Sequence, residues 1–147
     1  MPSRRVAIQS LLGAVASGAA VDLNGVNYAV ASGLTLNGTG IAGGGALINS
    51  SGTQATYSGL IALGSASSIV ASSGDIVLSN AGTIGGSGFG LTLDGAAAGS
   101  SLASIIGTGA GTVTKTGAGA WTLSGASSYT GKTTVTDGTL QLNGVRV

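Results

Sequence analysis

The sequence predicts an all-β fold: a right-handed, single-stranded parallel β-helix, or β-solenoid, on the order of six coils long. Short runs rich in Val, Thr, Leu and Trp alternate with turns centred on glycine. A five-residue unit recurs, in which two apolar residues on alternate positions are followed by Asn, Asp or Ser and then Gly. Because each run is too short to bury a face alone, the runs must stack on one another.

The recurring unit predicts a strand followed by a corner. Alternation puts its two apolar residues on one face, and the small polar residue and glycine supply the positive φ of a tight turn. Unit starts at residues 91, 121 and 140 lie 30 and 19 residues apart, which fits coils of about 20 residues with insertions. The units are Val21–Gly25, Leu34–Gly38, Leu91–Gly95, Trp121–Gly125 and Leu140–Gly144, with a close variant at Ile76–Asn80.

Further short runs fill the intervals between these units. Their inward Leu, Ile and Val are expected to lie on those of the next coil, about 4.8 Å away. At the corners, asparagines such as Asn37, Asn80 and Asn143 form either amide ladders or isolated turn residues. The further strands are predicted at Ala46–Asn49, Gln54–Tyr57, Leu60–Leu63, Ser68–Ala71, Gly82–Ile84, Ser104–Ile106, Thr112–Lys115 and Thr133–Val135.

Residues 1–32 are interpreted as an N-terminal extension and residues 33–147 as the β-helix. Two arginines, Arg4 and Arg5, precede an apolar run from Val6 to Val21, which loosely resembles a signal peptide. Polar and small residues interrupt that run, which favours a poorly ordered or capping segment. The run is also too short to span a bilayer. At the other end, the last strand is expected to leave an exposed coil that is prone to association, as in a fragment of a longer chain.

Composition excludes several functional classes. The chain has 29 Gly, 6% charged residues and a net charge of +1, so it lacks the basic surface that nucleic-acid binding needs. It has no Cys and no His, which removes disulfides, thiolate metal sites and the usual Ser or Cys triads. No cofactor and no metal are predicted. A hydrophobic content of 43% with a single proline argues against disorder.

Two glycine-rich motifs are interpreted as chance matches. Residues Ala126–Thr133, ASSYTGKT, resemble a phosphate-binding loop but begin with Ala and precede a strand-like run instead of a helix. Gly38, Gly40 and Gly43 spell G-x-G-x-x-G, but no helix follows and no acidic residue lies about 20 positions further on. Both motifs are expected to be turns.

The carboxylates do not form an obvious pair. The four acids Asp22, Asp75, Asp94 and Asp137 are spread along the chain, and an enzyme would need Asp75 or Asp94 to converge with Lys115 or Lys132 in a cleft. The two lysines, 17 residues apart, are expected to be solvated charges on the outer face.

The aromatic residues allow two interpretations. Trp121 occupies an inward position of the alternation and is expected in the core. The alternative is a sugar-binding platform shared with Tyr28, Tyr57 and Tyr129.

The densest alternation runs from residue 107 to residue 144. This stretch follows the pattern L-T-K-x-G-x-G-x-L-x-L-S-G-x-x-x-Y-T-G-x-T-x-V-x-x-G-x-L and resembles the passenger-associated transport repeat of bacterial autotransporters, also called the autotransporter-associated β-strand repeat. Val113 and Trp121 replace the usual leucines, and Lys132 stands where Gly is common. The matching positions are Val113, Thr114, Lys115, Gly117, Gly119, Trp121, Leu123, Ser124, Gly125, Tyr129, Thr130, Gly131, Thr133, Val135, Gly138 and Leu140.

The resemblance implies a non-enzymatic, structural segment of an exported, adhesin-like passenger of type V secretion. Such a segment would assist passenger folding and secretion and present a rod at the bacterial surface, secreted or associated with the outer membrane. It would belong to a longer chain with a C-terminal translocator barrel, and it would not itself span the membrane. Gly111 to Leu142 is the stretch expected to nucleate folding.

The main alternative is a ligand-binding module. A carbohydrate, a host protein or ice would contact rows of outward threonines, and regular spacing of their hydroxyls on one flat face would favour this alternative. The threonines concerned are Thr35, Thr92, Thr114, Thr122 and Thr134. Self-association is the other contact that the sequence suggests.

Overall fold

A computed structural model describes residues 13–144, which form a β-solenoid of about six turns. Most of its strands are short because glycine, serine or asparagine follows many of the apolar runs and turns the chain. The strands are β1 (Ala14–Val15), β2 (Val21–Asp22), β3 (Leu34–Gly38), β4 (Leu47–Asn49), β5 (Ala55–Tyr57), β6 (Ile61–Ala71), β7 (Ile76–Leu78), β8 (Thr83–Ile84), β9 (Leu91–Asp94), β10 (Ser100–Leu102), β11 (Ile105–Ile106), β12 (Val113–Lys115), β13 (Ala120–Leu123), β14 (Thr133–Val135) and β15 (Thr139–Leu142).

Every strand pairing in residues 13–144 is parallel and joins one coil to the next. One sheet has the order β1-β3-β6-β9-β12-β14, with β2-β4 joined to β6, a second has the order β5-β7-β10-β13-β15, and a third pairs β8 with β11. Trp121, for example, lies beside Ser100 of the preceding coil and Leu140 of the following one. The predicted parallel β-solenoid is therefore confirmed. Its right-handed winding remains a prediction from the general preference of parallel connections.

The core runs along the axis of the rod. Burial alternates along most of the strands, as in β9, where Leu91 and Leu93 are buried and Thr92 is not. Inward side chains of successive coils stack in columns, and each leucine buried in this way contributes roughly 1.5–3 kcal/mol. One such column holds Tyr57, Leu78, Leu102, Leu123 and Leu142.

Three strands differ from their prediction. The runs Leu60–Leu63 and Ser68–Ala71 are joined into one strand, β6, because its two halves pair separately with β3 and β4 and keep the intervening backbone extended. The extra residues of the preceding coil form a short 3₁₀ turn at Ile41–Gly43. The other two, β1 and β10, were not predicted, since β1 lies in the segment interpreted as an extension and the serines of β10 resemble a turn.

The corner asparagines do not form amide ladders with one another. The Asn37 side-chain amide donates to the carbonyl of Val15 at 3.0 Å, and that of Asn80 donates to the carbonyl of Ser58 at 2.9 Å. Both acceptors lie on the preceding coil. The ladder interpretation is wrong here because the closest acceptor across a parallel stack is a main-chain carbonyl.

The described stack begins at Ala14. Strands β1 and β2 lie in the segment interpreted as an N-terminal extension, and they pair with β3 and β4. The signal-like run from Val6 falls partly on residues outside the described ones. Residues 13–144 contain no helix long and apolar enough to cross a membrane.

Candidate functional site

The residues of the predicted repeat form the last two described coils. Strands β12 and β13 belong to one coil and β14 and β15 to the next, in register from Val113 beside Thr133 to Leu123 beside Leu142. Val113, Lys115, Trp121, Leu123 and Tyr129 are buried, whereas Leu140 is partly buried and packs against them. Val135 is exposed. The candidate site is therefore an interface between coils, not a cleft.

Lys115 lies inside the solenoid, so its placement on the outer face was wrong. Its side chain has no exposed surface, and Nζ donates to the carbonyls of Thr116 (2.5 Å), Gly117 (2.8 Å) and Asp137 (3.3 Å). The first two carbonyls form the corner after β12, and the third belongs to the next coil. Alternation places Lys115 inward, and the corner carbonyls compensate for the loss of water. We call these four residues the lysine clamp.

Burial disfavours the charged form of the Lys115 side chain. Desolvation lowers the pKa of the Lys115 ammonium below its ordinary value of 10.5, while the nearby charges of Asp94 and Asp137 act in the opposite direction. Lys132, by contrast, is exposed at the start of β14. The two lysines therefore do not form a pair on one surface.

Trp121 links its own coil to the preceding coil and to the following one. The residue is 1% exposed, as its inward position predicts, and its indole Nε1 donates to the carbonyl of Asp94 at 3.2 Å. That carbonyl lies at the corner of the preceding coil, while the Trp121 backbone pairs with Leu140 of the next. Its buried polar atom is thus satisfied, as large aromatic residues in cores require.

Tyr129 orders the turn that leads into β14. Its hydroxyl lies 2.6 Å from the hydroxyl of Thr133, and its amide donates to the carbonyl of Ile106. The ring is 2% exposed, so it packs into the solenoid and does not form an open sugar-binding platform.

Two glycines of the repeat mark close approaches between coils. A Cβ at Gly125 would overlap the carbonyl of Ser104, and a Cβ at Gly131 would overlap the carbonyl of Gly111. Both obstacles are backbone atoms of the preceding coil, which cannot move aside like a flexible side chain. Glycine is required at these two positions because of spacing, since neither has a positive φ.

Buried serines join coils in a way that the sequence analysis missed. Ser100 Oγ accepts the amide of Ile76 at 3.1 Å, and Ser127 Oγ accepts the amide of Ile106 at 3.1 Å. Asn49, which has no exposed surface, likewise accepts the amide of Gly25. These contacts could have been predicted from a small polar residue at a position that the alternation places inward.

The four aspartates accept hydrogen bonds from main-chain amides near corners. Asp75 Oδ1 accepts the amide of Gly99 at 2.7 Å, and Asp94 and Asp137 each accept the amide of the glycine that follows. Asp22 accepts the amides of Asn24 and Ser50. Asp94 lies near Lys115, but the ammonium is buried and bonded to three carbonyls. These two residues do not form a solvent-facing acid–base pair.

The outward threonines lie on more than one face. Thr92, Thr114 and Thr134 are partly exposed and in register on neighbouring strands, and we call these three residues the hydroxyl row. Ser68 precedes them in the same register but is buried. Thr35 instead lies beside Ala62, away from this row. Thr122 belongs to the second sheet, between Ser101 and Gln141.

Metal ligands are not clustered. Within the described part of the chain, no three residues of the types Asp, Glu, His or Cys come close enough to hold an ion.

Comparison with known proteins finds a family match within the last two described coils. Residues 113–142 match the family model described as the passenger-associated-transport-repeat. The match lies within the stretch 107–144 that resembles this repeat, and the resemblance is confirmed. No curated protein matches the chain, and no solved structure matches it.

Proposed function

We propose that this chain is a structural, non-enzymatic segment of an exported bacterial autotransporter passenger, because residues 113–142 match the family model of the passenger-associated-transport-repeat. It assists the folding and secretion of the passenger and presents a rod, adhesin-like, at the cell surface. One observation carries the proposal: each strand of the repeat pairs in register with a strand of the preceding coil.

Stacking of this kind allows folding to propagate along the rod. A completed coil offers a row of main-chain donors and acceptors and a column of inward apolar residues, so the next coil gains its contacts as it forms. The lysine clamp adds a polar contact, because the carbonyl of Asp137 reaches Lys115 only when the later coil is in place. Folding outside the membrane would then oppose backward movement of the passenger.

This function places the chain within a longer protein. A passenger of this class is secreted or held at the outer membrane, and a C-terminal translocator barrel is the partner that the repeat implies. Among the described residues, the strands of the repeat are the part best suited to begin folding, since Trp121 and the lysine clamp link successive coils.

The test measures the surface yield of a complete passenger that contains this chain. Substituting Val113, Trp121, Leu123 and Val135 by Asp places carboxylates on the inward side, which should lower the yield by at least about tenfold. The matched control puts Asp at four outward positions of the same two coils and should retain most of the yield; these are Thr114, Thr122, Thr134 and Gln141. Equal yields for the inward and control variants, at equal expression, would exclude the role in secretion.

A second candidate function is supported by the hydroxyl row. Thr92, Thr114 and Thr134 place hydroxyl groups at the strand spacing of about 4.8 Å on one sheet. Such a row suits a ligand with repeated polar groups, such as a carbohydrate, a host protein surface or ice. The placement of Thr35 and Thr122 elsewhere and the burial of Ser68 limit the row to three residues.

Binding to soluble glycans, measured by calorimetry, separates this candidate from the structural role. Replacing Thr92, Thr114 and Thr134 by Val should abolish binding without changing the stack, because these side chains point outward. The control replaces Thr122 by Val on the second sheet. If no glycan, host-cell surface or ice crystal is bound by the unmodified chain, the binding function is rejected.

A further inference from the structure

One exposed loop lies outside the stacked sheets. Between β3 and β4 the chain forms a loop at residues 39–45, which we call the glycine loop. Its four central residues, 41–44, are all exposed, and Ile41 is 66% exposed. The short 3₁₀ turn within the loop contains no buried residue. The glycine loop therefore contributes no side chain to the core.

The hydrogen bonds of the glycine loop close it on itself. The amide of Gly44 donates to the carbonyl of Ile41 at 2.9 Å, and the amide of Gly45 donates to the carbonyl of Thr39 at 2.7 Å. A Cβ added at Gly43 would meet no atom within 4 Å. Opening the tip of the loop therefore breaks contacts within the loop and leaves the pairing between coils intact, so the tip belongs to the least stable part of the structure.

The corner after β4 is also largely exposed, but it is tied to its neighbours. At residues 50–54, the carbonyl of Ser51 accepts the amide of Gly74 of the next coil at 3.0 Å. The carbonyl of Thr53 accepts the side-chain amide of Asn49 at 2.8 Å, and Asn49 is buried. Opening this corner would break contacts with the next coil and with the interior. Exposure alone therefore does not make the two loops equivalent.

The glycine loop is strained at Ala42. This residue has φ of 51° and ψ of 32°, in the left-handed region that residues with a Cβ rarely adopt. Within residues 13–144, Asn24 is the other non-glycine residue with a positive φ, and asparagine tolerates that conformation better than alanine does. Extending the backbone of the loop would relieve the strain at Ala42.

We propose that the glycine loop is a proteolytic processing site, cut between Ala42 and Gly43 by an endopeptidase selective for small apolar residues. Exposed loop tips with small residues are the preferred sites of proteolytic cleavage. In the reaction, the hydroxyl of a water molecule adds to the carbonyl carbon of Ala42, and the nitrogen of Gly43 leaves with a proton. The inference does not depend on the passenger role.

The two products should remain together as one rod. The first product carries β2 and β3, which pair with β4 and β6 of the second product. These parallel pairings, and the buried side chains between them, do not involve the tip of the loop. Cleavage would therefore divide the chain without removing a coil from the stack.

Limited proteolysis of the complete chain with pancreatic elastase, which prefers small apolar residues, tests the inference. Mass spectrometry should locate the first cut within residues 13–144 in the glycine loop. The products should elute together from a sizing column, keep the circular dichroism of the uncut chain, and separate only in denaturant. A first cut elsewhere within residues 13–144, the absence of any cut there, or separation of the products in native buffer would overturn the proposal.

Two matched variants test whether Ala42 is the residue that the protease recognises. Ala42→Asp keeps a residue that tolerates a positive φ but places a charge where the protease binds a small apolar side chain, so the rate of cutting should fall by at least about tenfold. Ala98→Asp adds the same charge at another exposed alanine and should be cut like the unmodified chain. Circular dichroism establishes that both variants are folded. Equal rates for Ala42→Asp and Ala98→Asp would reject the assigned bond.

Discussion

At the residue scale, the inward polar groups are matched to main-chain atoms of a neighbouring coil or corner. Lys115, Trp121, Asn49 and Ser100 each bond to backbone groups across the stack. These bonds follow from geometry, because a parallel stack brings main-chain donors and acceptors close to every inward position. Thr108 is the exception: its hydroxyl is buried and has no partner within residues 13–144.

Removing the ammonium of Lys115 should destabilise the fold. In Lys115→Met the carbonyls of Thr116, Gly117 and Asp137 lose a common donor inside the solenoid, and the free energy of unfolding should fall by about 2 kcal/mol. The control Lys132→Met changes an exposed side chain and should stay within about 0.5 kcal/mol. Urea unfolding followed by Trp121 fluorescence measures both values. A Lys115→Met variant as stable as the unmodified chain would exclude the clamp.

Thr108→Val should stabilise the fold. Valine keeps the shape of the side chain and removes a buried hydroxyl that has no partner, so the free energy of unfolding should rise by about 1 kcal/mol. Thr112→Val, at an exposed position nearby, is the control and should have little effect. A loss of stability in Thr108→Val, measured in the same denaturant series, would mean that the hydroxyl is satisfied.

Tyr57 should make stability depend on pH in the alkaline range. Burial raises the pKa of the Tyr57 phenol above 10.0, and its hydroxyl donates to the carbonyl of Ser32. The unfolded chain therefore releases this proton first as the pH rises. Stability is fully present below the unfolded pKa and is lost as the pH rises through the folded one.

Tyr57→Phe is the variant that isolates this effect. Between about pH 8 and about pH 11, the unmodified chain should lose more unfolding free energy than Tyr57→Phe loses. Chemical unfolding at each pH gives the difference. An identical pH dependence in both proteins would contradict a raised pKa.

At the element scale, alternation and corner residues could be read from the sequence with good accuracy. β3, β9 and β15 begin and end within one residue or two of their predicted bounds, because an apolar, polar, apolar run followed by Asn, Asp or Gly leaves few other structures. β10 was missed since a buried serine and an exposed one look alike in sequence. The burial of Lys115 was not predicted because the residue is charged and was expected on the outer face. The alternation of β12 nevertheless places position 115 inward.

Close approach between corners gives a prediction at this scale. Gly131→Ala places a methyl group against the backbone of Gly111, so the two coils must separate and the free energy of unfolding should fall by about 1–3 kcal/mol. Gly85→Ala adds the same group where no atom lies within 4 Å, and it should be close to neutral. Thermal unfolding of both variants measures the difference. Equal melting temperatures would contradict the close approach of residue 131 to the backbone of Gly111.

At the scale of the whole molecule, stability follows from contacts between neighbouring coils. Each coil in the middle of the rod is covered on both sides by its neighbours. Folding can therefore propagate along the rod, because a completed coil supplies the contacts of the next one. The sequence indicated this arrangement through its repeated unit, but the inward position of Lys115 and the buried serines required coordinates.

The most direct test of the stacked coils compares two pairs of introduced cysteines. Thr114 and Thr134 are 20 residues apart in sequence but adjacent across β12 and β14, whereas Thr114 and Thr122 are only 8 residues apart but lie on different sheets. The stacked coils predict that a short thiol-specific cross-linker joins Cys at 114 and 134 in high yield and leaves the 114 and 122 pair unlinked. The opposite preference, which chain proximity alone would give, would contradict the parallel solenoid.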